Sequence, residues 1–191
     1  MSSNCSSGFV AVRNGTKQVL SAGHCTGAQA GHFAANSANP PFGTVQQSAD
    51  SQRVDALRAA VTTSGIGARG WVFQNQDYQG RQVSGITSYG SLMVGTPVGK
   101  SGYQSGMTWG AITSKYLAPP GYQDLISADV SAIAGDSGSS LTKQANWAAV
   151  AVLKGVILSA NPPELEGDTI YSHVQFVQSR LGVEIVVNDS P

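Results

Sequence analysis

Two short strings could carry chemistry. His24 stands in Ser21-Ala22-Gly23-His24-Cys25, at the end of an apolar run. A strand end flanked by Gly and Cys is a rigid place to hold a base. Ser137 stands in Gly135-Asp136-Ser137-Gly138. A hydroxyl between glycines lets the backbone turn sharply and stay accessible. The N–H groups of Gly135 and Ser137 can then converge on one point and stabilise a developing oxyanion. The bland alternative is an ordinary Gly/Ser turn, since these residues are turn chemistry in any protein. The other two histidines, His32 and His173, lack comparable surroundings and read as packed or surface residues.

The elements that must position these groups read as short strands. Gly8–Arg13 and Thr16–Ser21 flank Asn14-Gly15, the pair that a type I′ hairpin turn requires. Further strands are expected at Gly31–Asn36, Phe42–Gln47, Arg53–Val61, Leu92–Lys100, Thr108–Tyr116, Asp124–Val130, Trp147–Lys154 and Asp168–His173. Thr62–Ser91 is poor in apolar residues and reads as a connector. Val174, Phe176, Val177 and Leu181 have helical spacing, with Gly182 as the stop. Val183–Val187 reads as a last strand.

Composition agrees with an all-β domain. The 191 residues carry 11 basic and 11 acidic side chains, so the net charge is zero. Charged residues are only 12%, and glycines number 23. A neutral chain without Lys/Arg clusters argues against nucleic acid and against anionic membranes. No apolar run approaches membrane-spanning length. The cysteines are Cys5 and Cys25, just beyond the open end of the first hairpin. An even count and low charge fit one disulfide in an exported protein; two buried thiols are the alternative. Met1-Ser2-Ser3-Asn4 offers neither the basic nor the apolar region of a signal peptide. The expectation is a secreted protein without its signal or any pro-segment.

With these residues in view, the chain resembles the chymotrypsin-fold serine peptidases, in particular the bacterial branch that includes streptogrisins and alpha-lytic protease. The resemblance rests on the two strings above and on Cys5-Ser6-Ser7-Gly8-Phe9. Lys100-Ser101-Gly102 with Gly106 and Gly110, and the tail Val174–Val187, add to it. It implies two six-stranded antiparallel Greek-key barrels and a short C-terminal helix. The first half would be residues 1–75, carrying the His and the Asp. The second would be residues 76–191, carrying the nucleophile.

The resemblance also implies roles. His24 is the general base, Ser137 the nucleophile, and Gly135 and Ser137 supply the oxyanion N–H groups. The acid must come from Asp50, Asp55, Asp77, Asp124, Asp129 or Asp136. The family places it at a strand start before Ala and an aliphatic residue, which Val54-Asp55-Ala56-Leu57 fits. Bacterial relatives neutralise the Asp before the nucleophile with an internal base, here Lys100 for Asp136. No cofactor and no metal are implied, and the expected partner of a monomeric chain is a protein or peptide substrate.

Departures shape the expected specificity. The family's disulfide beside the nucleophile is absent, with Ser131 where its first Cys would be. Tryptic members carry Asp there, so Ser131 argues against Arg or Lys as the preferred residue. Lys154-Gly155-Val156 aligns with the family's Ser-Gly-Gly beside the substrate. Val156 would narrow the pocket, and Lys154 would replace a hydroxyl near the acid. Small or medium apolar residues before the cut bond are expected. The rival reading is a homologue of this fold with impaired chemistry that acts as a binding module. An esterase is disfavoured, because its Gly-x-Ser-x-Gly lacks a match at Ser139.

Overall fold

The computed structural model describes residues 5–26, 43–64, 67–73, 80–159 and 163–189. The chain opens with β1 (Val10–Arg13) and β2 (Thr16–Ser21), then a short 3₁₀ turn over Gly23–Thr26. Asn14 and Gly15 both take positive φ, 49° and 76°, so the right-twisted strands meet without splaying. Next come β3 (Gly43–Ser51) and β4 (Val54–Val61), then β5 (Trp71–Phe73) and β6 (Gly80–Gln82). β7 (Pro97–Gly102), β8 (Gly106–Leu117), β9 (Leu125–Ala128), β10 (Ser140–Lys143), β11 (Ala149–Val156) and β12 (Thr169–His173) follow. Helix α1 (Val174–Leu181) and β13 (Glu184–Ile185) end the described chain.

β7 to β12 close into an antiparallel barrel in the order β10-β11-β12-β9-β8-β7. Val98, Ile112, Ile126, Leu141, Val150 and Leu153 fill it, and Tyr171 is fully buried among them. The first half is a sheet in the order β13-β1-β2-β4-β3. It therefore presents five strands among the described residues, one of them supplied by the C-terminus. The strand expected at Gly31–Asn36 lies outside the described residues, as do His32 and Asp77. Its core joins Phe9, Leu20 and Val54 to Val177 and Leu181 of α1. The apolar stripe of the helix is thus buried against the first sheet, and Gly182 ends it with φ 61°.

The structure departs from the expected strands in three places. The connector is not strand-free, because β5 and β6 pair within it. The strand expected from Leu92 starts only at Pro97; residues before it form turns, with Leu92 alone buried in the barrel. β10 was not anticipated. Ser140 and Thr142 are polar yet buried, so no alternation of apolar and polar residues marks it.

Candidate active site

Asp55 is the second residue of β4 and is fully buried. The 3₁₀ turn after β2 brings His24 over it. His24 Nδ1 lies 2.7 Å from Asp55 Oδ2, and the His24 backbone N–H donates to Oδ1 at 3.0 Å. Ser172 on β12 accepts the Asp55 backbone N–H at 2.7 Å, so the second half also fixes the acid. Gly23 makes the approach possible. A Cβ there would lie 2.1 Å from the Ala49 carbonyl oxygen and 2.9 Å from Asp55 Oδ1.

The electrostatics follow from this geometry. The hydrogen bond that His24 donates to Asp55 holds the imidazole above its ordinary pKa, and partial burial opposes it. Burial alone would push the Asp55 carboxyl up. The hydrogen bond and charge of His24, aided by the nearby Lys154 ammonium, outweigh burial and hold it below the usual range. With Nδ1 committed to the acid, Nε2 is the nitrogen left to take a proton.

The Gly135–Gly138 turn precedes β10. It docks on β11, where the Gly138 N–H donates to the Leu153 carbonyl at 2.8 Å. It also presses on the end of β2: a Cβ on Gly138 would lie 2.1 Å from Ser21 Oγ and 2.8 Å from the Ala22 nitrogen. The turn that carries Ser137 therefore abuts the residues that lead into His24. Gly135 has φ 102°, and its N–H and that of Ser137 donate to no group among the described residues. Ser137 itself is half-buried.

Lys100 and Asp136 are both fully buried, with Nζ 3.2 Å from Oδ2. Asp136 also accepts from the N–H groups of Gln104 (2.9 Å), Ser105 (3.1 Å) and Ile133 (3.1 Å) and from Ser105 Oγ (2.6 Å). Burial alone would raise this carboxyl; these donors and Lys100 hold it below the usual range. A buried carboxylate with five donors meets the condition for keeping its charge.

The N-terminal segment ties the two groups together. Cys5 and Cys25 form a disulfide next to His24. Ser6 donates its N–H to the Ser137 carbonyl at 2.7 Å and its Oγ–H to the Gly135 carbonyl at 2.9 Å. Its own carbonyl accepts from Ser21 Oγ at 2.7 Å. Ser6, Ser105 and Ser172 are positioning residues that sequence reading did not single out. A serine in a chain rich in serine carries no spacing signal.

Ser131 is exposed, and its carbonyl accepts from Thr108 Oγ1 at 2.8 Å. Gly155 and Val156 end β11; Val156 is exposed, and among the described residues no atom beyond the chain neighbours lies within 4 Å of the place a Gly155 Cβ would occupy. Lys154, named with these pocket residues and expected where a hydroxyl would stand near Asp55, lies against that carboxylate. Its Nζ lies 3.1 Å from Asp55 Oδ2, 3.3 Å from Asp50 Oδ1 and 2.8 Å from the Tyr122 hydroxyl.

No protein-family model matches the chain, and no curated protein matches it. Solved structures do. A glutamic acid specific serine protease is 22% identical with a TM-score of 0.79, over 95% of this chain and 93% of that one. Cellulomonas bogoriensis chymotrypsin is 29% identical with a TM-score of 0.71, over 97% and 92%. Thermobifida fusca protease A is 23% identical with a TM-score of 0.76, over 96% and 92%. Over nearly its whole length the chain has the fold of the bacterial chymotrypsin-like serine proteases and is similar to them.

Proposed function

We propose that the chain is a secreted serine endopeptidase working through Ser137, His24 and Asp55. The observation that carries this reading is the buried Asp55 carboxylate, both oxygens of which engage His24. Ser137 Oγ attacks the scissile carbonyl carbon while His24 Nε2 takes its proton. The carbonyl oxygen becomes an oxyanion facing the Gly135 and Ser137 N–H groups. Collapse breaks the C–N bond, and His24 returns the proton to the leaving amine. Water, deprotonated by His24, then cleaves the acyl ester and frees Ser137. Asp55 stays ionised throughout and stabilises the imidazolium. The Lys100–Asp136 pair keeps the nucleophile turn in shape. Protein or peptide chains are the substrates, and no second copy is required.

For specificity, the exposed Val156 and Ser131 favour small or medium apolar residues before the cut bond. One structural relative is glutamate-specific and uses a histidine triad in substrate binding. This chain has three histidines; His24 is bound to Asp55 and His173 is fully buried. A triad of that kind is therefore not supported here. The second reading, an impaired homologue that binds proteins, draws on the Lys154 ammonium against Asp55.

The test is a peptide-library cleavage profile of the purified chain. Cleavage after Ala, Val or Leu, abolished by Ser137→Ala and by His24→Ala with circular dichroism unchanged, is the expected result. Val156→Gly should admit Phe or Tyr. A folded wild-type chain that cleaves nothing contradicts the reading.

A further inference from the structure

Lys154 reaches the acid because β11 is bulged there. The register with β12 shifts between Leu153 and Gly155, so Lys154 is the unpaired residue of the bulge. Bulges beside active sites re-aim side chains in this way. An ammonium has three donors, and three oxygens surround this one: Asp55 on β4, Asp50 on β3 and the Tyr122 hydroxyl between β8 and β9. The Tyr122 ring also lies under the ammonium, 4.1 Å from its centroid. Tyr122 donates to Asp50, and its loop is pinned to Gln52, the residue after β3, by backbone bonds from Gln52 to Gly121 (2.7 Å) and Gln123 to Gln52 (2.8 Å). The cluster thus spans both halves and ends on the Asp55 oxygen that also receives His24 Nδ1.

We infer that Lys154 is a positioning residue that sets the acid limb of activity, by sharing Asp55 Oδ2 with His24 under restraint from Asp50. This rests on the peptidase reading above. A hydroxyl at this place would give Asp55 one neutral hydrogen bond. The ammonium gives it a hydrogen bond and a positive charge. That charge opposes a second positive charge on the imidazole, so His24 loses its proton at lower pH. Asp50 acts in the other sense, because its carboxylate favours the imidazolium and draws Lys154 away from Asp55. Among the described residues, the charged groups facing His24 and Asp55 are these two; Ser172 from β12 and Tyr122 face them without charge. The device keeps the base free in mildly acidic surroundings, at the cost of a less stabilised imidazolium in the transition state.

The experiment compares the full chain with Lys154→Met, Lys154→Arg and Asp50→Asn. It records kcat/KM against pH, and the His24 ring resonances by NMR titration in the Ser137→Ala background. Lys154→Met should move the acid limb and the His24 midpoint up by about one pH unit. Lys154→Arg should restore both to wild type. Asp50→Asn, a change at an exposed side chain that leaves the core untouched, should move both down. Midpoints that coincide with wild type, or that move the same way in Lys154→Met and Asp50→Asn, overturn the inference. The NMR arm reads His24 whether or not the chain hydrolyses peptides. Loss of the peptidase reading therefore shows as a wild-type chain without Ser137-dependent cleavage, separately from any shift of His24.

Discussion

The two oxygens of Asp55 receive two donors from one residue, the ring and the backbone N–H of His24. The ring bond requires the proton on Nδ1, so it fixes the tautomer that leaves Nε2 as the base. Asp55→Asn keeps the shape and places an amide where the carboxylate was. The tautomer is then free to invert, and no charge stabilises the imidazolium. Turnover should fall on the order of 10⁴-fold, the loss known for this change in a Ser–His–Asp triad. Steady-state kinetics beside an unchanged circular dichroism spectrum checks it. A near-wild-type Asp55→Asn with an inactive Asp50→Asn would move the acid to Asp50. At this scale the meeting of His24 with Asp55 was legible, since each sits in a string whose neighbours are as informative as itself. The contacts of Lys154 with Asp50 and Tyr122 were not. Period-two reasoning aims side chains by counting, and a bulge breaks the count.

β12 hands over to α1 at His173, which caps the helix by accepting the Gln175 N–H on Nδ1 at 3.1 Å. The ring is fully buried beside Tyr89 and Phe176, and its Nε2 has no hydrogen-bond partner among the described residues. Burial, aided by the charge of Lys115, pushes its pKa down to about 4 from 6.5. The unfolded chain therefore binds a proton that the folded chain refuses between those values. Stability falls as pH drops through that window, by up to about 3 kcal/mol. Protonation would also occupy Nδ1 and remove the cap. His24 contributes with the opposite sign: its raised pKa favours the fold below 6.5, and that gain is lost as pH rises through the folded value. Urea midpoints measured against pH in His173→Asn, which caps without titrating, should show a flatter acid slope than wild type. An unchanged slope would assign the acid sensitivity elsewhere. The hairpin and α1 were legible from Asn14-Gly15 and from the helical spacing closed by Gly182. β5, β6 and β10 were not, because three or four residues fixed by tertiary pairing are too short to show a period.

Across the whole molecule, the residues of the site come from both halves and are joined by the N-terminal segment. The Cys5–Cys25 bond holds the turn that carries His24, while Ser6 holds the turn that carries Ser137. β13 and α1 return from the C-terminus to complete the first sheet and its core, so the first half depends on the end of the second. That return was not legible from periodicity, which reports faces and not partners. The proposed hydrolysis requires Ser137 to be an activated nucleophile. An organophosphonate that reacts only with such a serine, followed by peptide mass mapping, tests this most directly. One label per chain on Ser137, lost in His24→Ala, is the result expected. A folded chain that takes no label, or takes it on another serine, would contradict it.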